Sequence, residues 1–371
     1  MSAPLWLKKD YRAVGYTLLS SVVGVIIMRL IVYYAPVPDD TYGQSLLGDM
    51  LFSLPTQLLF FLVVPFTVYM FYGRRTFKQT LEFSSIGEFK PYYLLALPLG
   101  LCVYFLTIGV SSAWTELLRF TGYTVTSSST PKPAQFVFGF FVADVLLTAV
   151  LPAVCEEFCM RGGLLSTVKK SLGTAGVVVL CGVAFGLFHQ NIRQVFYTSL
   201  FGALAAFVTL KTESLYPAML MHFGNNFFSV FFDYASDYGW AVGGNLFSLI
   251  NALPLWALAL VFLIIFVLAA ALVVLMLYFN DRHLVERKIH EMLVRGAAAR
   301  PIEELFELDN FPEDTIGRKK RKKPDAYQIE RATYDPRQKI KPSLRDTMLI
   351  AAAEITALCT TVFTYVWGFF Y

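Results

Sequence analysis

Residues 141–162 read FVADVLLTAVLPAVCEEFCMRG. From Val145 to Cys155 only Thr148 and Pro152 interrupt an apolar run, and then Glu156, Glu157 and Arg161 follow within six positions. An ionisable side chain inside a membrane span costs roughly 2.5–3.5 kcal/mol on insertion scales, so such a cluster needs a use. Two further polar groups interrupt apolar segments downstream: His189, four residues after Phe185, and His222 with Asn226. Three helices carrying one site is the reading that accounts for all of them.

Working outward, hydrophobic residues make up 56% of the 371-residue chain and charged residues 16%. Apolar runs of about 20 residues, the length that crosses ~30 Å of hydrocarbon, recur along it. The fold class is therefore an all-α polytopic transmembrane helical bundle of eight or nine spans. The spans are placed at 13–35, 50–72, 92–118, 135–157, 174–190, 195–210, 215–233, 254–279 and 347–369. This divides the chain into N-terminal spans (1–134), a core that holds the polar clusters (135–235), a further span (236–279), a charged segment (280–346) and a last span (347–371). The first apolar run is long enough to span and lacks a small-residue cleavage site, so no cleaved signal peptide is expected.

Basic residues alternate with the loops. Lys8, Lys9 and Arg12 precede the first span; Arg74, Arg75 and Lys78 follow the second; Lys169 and Lys170 the fourth; Lys211 the sixth; Arg282, Arg287 and Lys288 the eighth. Residues 36–49 hold Asp39, Asp40 and Asp49 with no positive charge, and 234–253 likewise lack one. The positive-inside rule puts the N-terminus and the basic loops in the cytoplasm and, with nine spans, the C-terminus outside. The expected location is an integral protein of a bacterial plasma membrane.

Segment 280–346 holds 16 of the 31 Lys and Arg residues together with 13 Asp and Glu. Asp281 to Ala299 has apolar residues at helical spacing and reads as an amphipathic extension of the eighth span. Beside a bilayer, the Arg318–Lys323 run suits anionic lipid headgroups at about 1 kcal/mol per residue; no nucleic-acid partner is expected. Residues 300–346 read as a loosely ordered linker. The five cysteines lie in or beside spans with no pairing or zinc spacing. Cys155 and Cys159 flank the glutamates, but thiols buried in an apolar helix are inert. Gly162-Gly163 and Gly243-Gly244 lack the strand-to-helix context of a phosphate loop. Arg29, Asp144 and Glu354, isolated within spans, read as packing or boundary residues.

Residues four apart share a helix face, so Glu157 stacks over Arg161, Phe185 over His189 and His222 over Asn226, while Glu156 points about 100° from Glu157. Depth is the sharper test. With a turn near Ser171–Gly173, Glu156 and His189 each lie ~22–24 Å from it along their helices, at ~1.5 Å per residue. His222 and Asn226 lie ~12–18 Å from Ser214, where Pro217 suits a first helical turn. The three clusters can meet.

Their chemistry has two solutions. A glutamate beside a neutral imidazole can hold a water and take its proton, with Asn226 donating to a developing oxyanion and Arg161 neutralising one carboxylate. Glutamates with two histidines could instead ligate Zn²⁺ and acidify its water; the ligands would then be Glu156, His189 and His222, with Glu157 a further candidate.

Glu156-Glu157-x-x-x-Arg161, Phe185-x-x-x-His189 and His222-x-x-x-Asn226 resemble the three ordered motifs of the CAAX protease and bacteriocin-processing family of intramembrane proteases, over roughly residues 135–235. The resemblance implies a helical endopeptidase with a cavity open to the cytosol, acting on a peptide or lipidated protein. By similarity, Glu156 and His189 activate water, His222 and Asn226 bind the oxyanion, and Glu157 and Arg161 support the site. The family is widely labelled as metalloproteases; a metal-free, glutamate-activated water is the reading favoured here, since no His-Glu-x-x-His helix is present. A noncatalytic peptide-binding or bacteriocin-immunity scaffold is the alternative. A proton-coupled transporter is disfavoured because no inverted repeat or paired broken helix is visible.

Overall fold

The computed structural model describes residues 4–34, 41–124, 132–242, 246, 249–250, 252–297 and 339–367, the stretch 284–297 by its backbone alone. Among the described residues there are helices and their connecting loops and no strand. In chain order the helices are α1 (Leu5–Tyr34), α2 (Tyr42–Tyr72), the short α3 (Phe77–Phe83), α4 (Pro91–Phe120) and α5 (Phe138–Val168). They continue as α6 (Thr174–Phe188), α7 (Ile192–Thr212), α8 (Tyr216–Asp237), α9 (Leu255–Ala297) and α10 (Leu344–Trp367).

Each of the nine expected spans is a helix. Seven are long and apolar enough to cross a membrane: α1, α2, α4, α5, α7, α9 and α10. The remaining two depart for different reasons. At 15 residues α6 is short, and α8 is long enough but diluted by His222, Asn225, Asn226 and Asp233. Local chemistry sets the ends: Thr41 with Gln44 and Thr76 with Gln79 form capping boxes, and Pro91 and Pro217 occupy first turns where their missing N–H costs nothing. The helical backbone runs on from the membrane part of α9 to Ala297, as the spacing of 281–299 predicts. Arg318–Lys323, Asp39, Asp40 and Gly243-Gly244 lie outside the described residues.

The largest difference is in α5, which extends to Val168 rather than ending at 157. Every residue from Glu157 to Val168 is buried, so this polar-looking stretch is protein core. Two widened, π-type turns, Val145–Val150 and Phe158–Leu165, bracket the Glu156-Glu157 turn; such bulges are frequent at functional sites. Gly163 has a packing role: a Cβ there would fall 1.8 Å from the Tyr69 hydroxyl oxygen.

Hydrogen bonds sort the helix ends onto two faces. On one, Asp10 of α1 accepts from Arg75, after α2, and from Lys170, after α5, at 2.9 Å. There too Lys339 donates to the Lys169 carbonyl at 2.7 Å, Arg12 pairs with Asp346 at 3.0 Å, and the Leu215 amide donates to Ser85 O. This basic face gathers the loops that the charge pattern groups together. On the far face Lys132 pairs with Asp233 and Asp237, Tyr238 donates to Pro133 O, and Tyr365 donates to Thr121 at the end of α4.

Candidate active site

Glu157 and Arg161 lie on the buried side of α5. The Arg161 guanidinium donates to Glu157 Oε1 at 2.8 Å and to the Gly202 carbonyl of α7 at 3.1 Å, and it sits 4.3 Å over the Phe185 ring. Glu157 Oε1 also receives His222 Nδ1 at 2.9 Å. Both members of the ion pair are fully buried, which requires this density of partners, because an unpaired buried charge costs several kcal/mol.

Glu156, one position earlier, faces the cavity. Its Oε1 accepts from Gln57 Nε2 of α2 at 2.7 Å. Glu156, Phe185, His189, His222, Asn225 and Asn226 line one cavity of about 530 Å³. The pairing read from four-residue spacing thus separates a buried set, Glu157 with Arg161, from a cavity-facing set: Glu156, His189, His222 and Asn226.

The imidazoles are fixed by what each Nδ1 meets. His189 Nδ1 lies 2.9 Å from the Phe185 carbonyl, which can only accept, so this nitrogen carries the proton and Nε2 of the neutral ring has the lone pair. Gln190 follows with φ +47°, a left-handed conformation uncommon for a residue with a Cβ, and ends α6 at the histidine. Arg29 of α1 holds this turn by donating to the carbonyls of Gln190 (3.0 Å) and His189 (2.9 Å). His222 directs Nδ1 at the Glu157 carboxylate and packs edge-on against Phe201, with 5.0 Å between ring centroids.

Asn226 does not bond His222, although they are one turn apart. Its Oδ1 accepts from Asn225 at 2.8 Å and its Nδ2 donates to the Thr148 carbonyl at 2.8 Å. An amide nitrogen has two protons, so one N–H is left for the cavity.

Sequence reasoning missed Gln57, Asn225 and the turn-holding role of Arg29, and it read Asp144 as packing. Gln57 is a lone polar residue in an apolar run, which is the same kind of signal that revealed His189. Asp144 accepts from both Tyr42 and Tyr234 in a second chamber of about 520 Å³, which shares Tyr104, Ile108, Thr148 and Ser229 with the first.

Residues 157–168 are buried, and the cavity that Glu156 lines adjoins the second chamber, whose lining includes Asp233 and Ser236.

A metal is tested by the donors. Glu156, His189 and His222 share the cavity and both rings keep Nε2 outside their Nδ1 hydrogen bonds. Among the described residues, however, no three His, Cys, Asp or Glu side chains approach closely enough to hold one ion, so the arrangement does not fit a three-ligand zinc site.

The arrangement is a bundle of apolar helices with a glutamate, two histidines and an asparagine around one cavity. Residues 138–228, from the first residue of α5 into α8, match the model of a family described as type II CAAX prenyl endopeptidase Rce1-like. Over this segment the chain is similar to the CAAX protease and bacteriocin-processing family. No curated protein and no solved structure matches it.

Proposed function

We propose that this chain is an intramembrane endopeptidase in which Glu156 and His189 activate a water. The reading rests on one observation: Glu156, His189, His222 and Asn226 line a single cavity while Glu157 and Arg161 lock one of them from behind. With Oε1 engaged by Gln57, the Glu156 carboxylate has Oε2 for the water, and His189 Nε2 accepts the water's second hydrogen. The water oxygen attacks the scissile carbonyl carbon and its proton passes to Glu156. A positioned general base of this kind supplies about 10²–10⁴ in rate.

The charge that develops on the carbonyl oxygen is met by the second Asn226 N–H and by His222. Held at Nδ1 by Glu157, His222 turns Nε2 to the cavity beside that N–H. One such donor is worth about 10²–10³ in kcat. On collapse the C–N bond breaks and Glu156 returns its proton to the leaving amine. The substrate class is a peptide or a membrane-associated, lipidated protein.

The test is cleavage of an internally quenched peptide library by purified protein, wild type beside Glu156→Ala. Turnover that is equal in both sinks the proposal. Binding without cleavage by the wild type supports a noncatalytic scaffold instead.

A further inference from the structure

A smaller pocket of about 180 Å³ adjoins the cavity and shares Gln57, Glu156, Phe185, His189 and Gln194 with it. Its other walls are apolar side chains brought from four helices: Val25 of α1, Phe52 and Phe61 of α2, Met160 of α5 and Phe188 of α6. Phe61 and Phe188 meet edge to face, with 6.2 Å between ring centroids and 72° between planes. Two polar groups of the lining are already engaged, since Thr56 Oγ1 donates to the Phe52 carbonyl at 2.7 Å and Arg29 to the carbonyls of His189 and Gln190. Two of the walls are widened, π-type turns: Pro55–Val63 of α2 carries Thr56, Gln57 and Phe61, and Phe158–Leu165 of α5 carries Met160. Such turns are frequent at functional sites.

Size and lining select the occupant. An apolar cavity of about 150 Å³ stays dry and admits a benzene ring, so this pocket has room for a phenyl group, and its own rings offer the edges and faces that aromatic pairs prefer. A lysine ammonium would instead pair with Glu156 and neutralise the base that the reaction needs. The position is set by the same carboxylate. Glu156 returns its proton to the leaving amine, so that nitrogen comes within hydrogen-bond reach of it, and the side chain of the same residue branches from the next atom. Neither His222 nor Asn226, which face the carbonyl oxygen, lines the pocket. We propose that the pocket receives the aromatic side chain of the substrate residue that supplies the leaving amine, and so sets the place of cleavage. The proposal rests on the peptidase reading above.

The test uses the purified full chain and internally quenched peptides that differ at one position, Phe, Leu, Ala or Lys, with the cut site read by mass spectrometry. The expected result is cleavage on the amino side of that position, with kcat/KM for Phe above that for Ala by more than about a hundredfold, since a single methylene in an apolar pocket is worth about 10–200-fold. Val25→Phe and Met160→Phe fill the pocket from different helices; each should lower kcat/KM for the Phe peptide by more than about tenfold and leave the Ala peptide as the wild type cleaves it. Phe52→Ala enlarges the pocket and should move the preference from Phe to Trp, which keeps the test decisive if the filled variants do not accumulate. Equal cleavage of the Phe and Ala peptides, a preference for Lys, or a Phe preference that survives filling overturns the proposal. A wild type that cleaves none of the peptides refutes the peptidase reading. Competition for a labelled Phe peptide then separates the two: displacement by the Phe peptide and not by the Ala peptide, lost in Val25→Phe, leaves the pocket standing, and equal displacement removes it as well.

Discussion

His222 Nδ1 and Glu157 Oε1 are 2.9 Å apart, and the same carboxylate oxygen is held at 2.8 Å by Arg161. One buried atom thus joins a cavity-lining ring to a structural ion pair. Glu157→Gln should therefore act in two ways. It leaves the Arg161 charge uncompensated, at a cost of about 3–5 kcal/mol, and it frees the His222 ring. The melting temperature in detergent should fall, and cleavage should be lost. Adding Arg161→Met should restore much of the melting temperature and none of the turnover; recovery of activity would show that the pair serves stability alone.

Glu156→Gln and His189→Ala should each remove nearly all turnover while leaving melting unchanged. Both side chains handle the same water, so the double variant should be no worse than either single one. Modest losses that multiply in the double variant would contradict a shared step.

Gln57→Leu should lower kcat by about ten- to a hundredfold with KM unchanged, the loss of one hydrogen bond to a charged group, about 1.5–3 kcal/mol. Its own Oε1 is buried without a hydrogen-bond partner among the described residues, so removing the amide should not lower stability by a comparable amount. A Gln57→Leu protein with wild-type kcat would remove Gln57 from the site.

Arg29→Met should loosen the turn that ends α6, because both guanidinium bonds go to carbonyls at His189 and Gln190. Expected are a lower kcat and partial rescue by Arg29→Lys, which can reach one carbonyl. The measurement is steady-state cleavage with KM determined separately; a change confined to KM would assign Arg29 to substrate binding.

Cleavage should survive exhaustive chelation. Activity lost on chelation and restored by stoichiometric zinc would replace the water-only mechanism and make His189 and His222 ligands. Inhibition by millimolar zinc decides nothing, because added metal can cap Glu156 and His189.

Much of this was written in single helices. Four-residue spacing put Glu157 over Arg161 and Phe185 over His189, and both contacts are present at 2.8 and 2.9 Å. Run length located nine of the ten helices, all but the short α3. What stayed hidden joins helices remote in sequence: Gln57 to Glu156, Arg29 to His189, Glu157 to His222. No local periodicity encodes such pairs. The same spacing rule overreached at Asn226, where Asn225 and Thr148 offered better partners than His222. The end of α5 was misjudged because Arg161 and two glycines look like a membrane boundary, whereas burial against Tyr69 and α7 makes them core.

The first and last helices lie side by side, with Arg12 paired to Asp346 and Gly15 packed against Leu349. At the other end of this seam Thr364 of α10 accepts the amide of Ile192, three residues past His189, while Arg29 of α1 grips the carbonyls just before it. The turn that carries the histidine is thus clamped from both chain ends. A nascent chain that has not yet inserted α10 still lacks half of that clamp. Insertion of α10 and the shape of the histidine turn are thereby coupled.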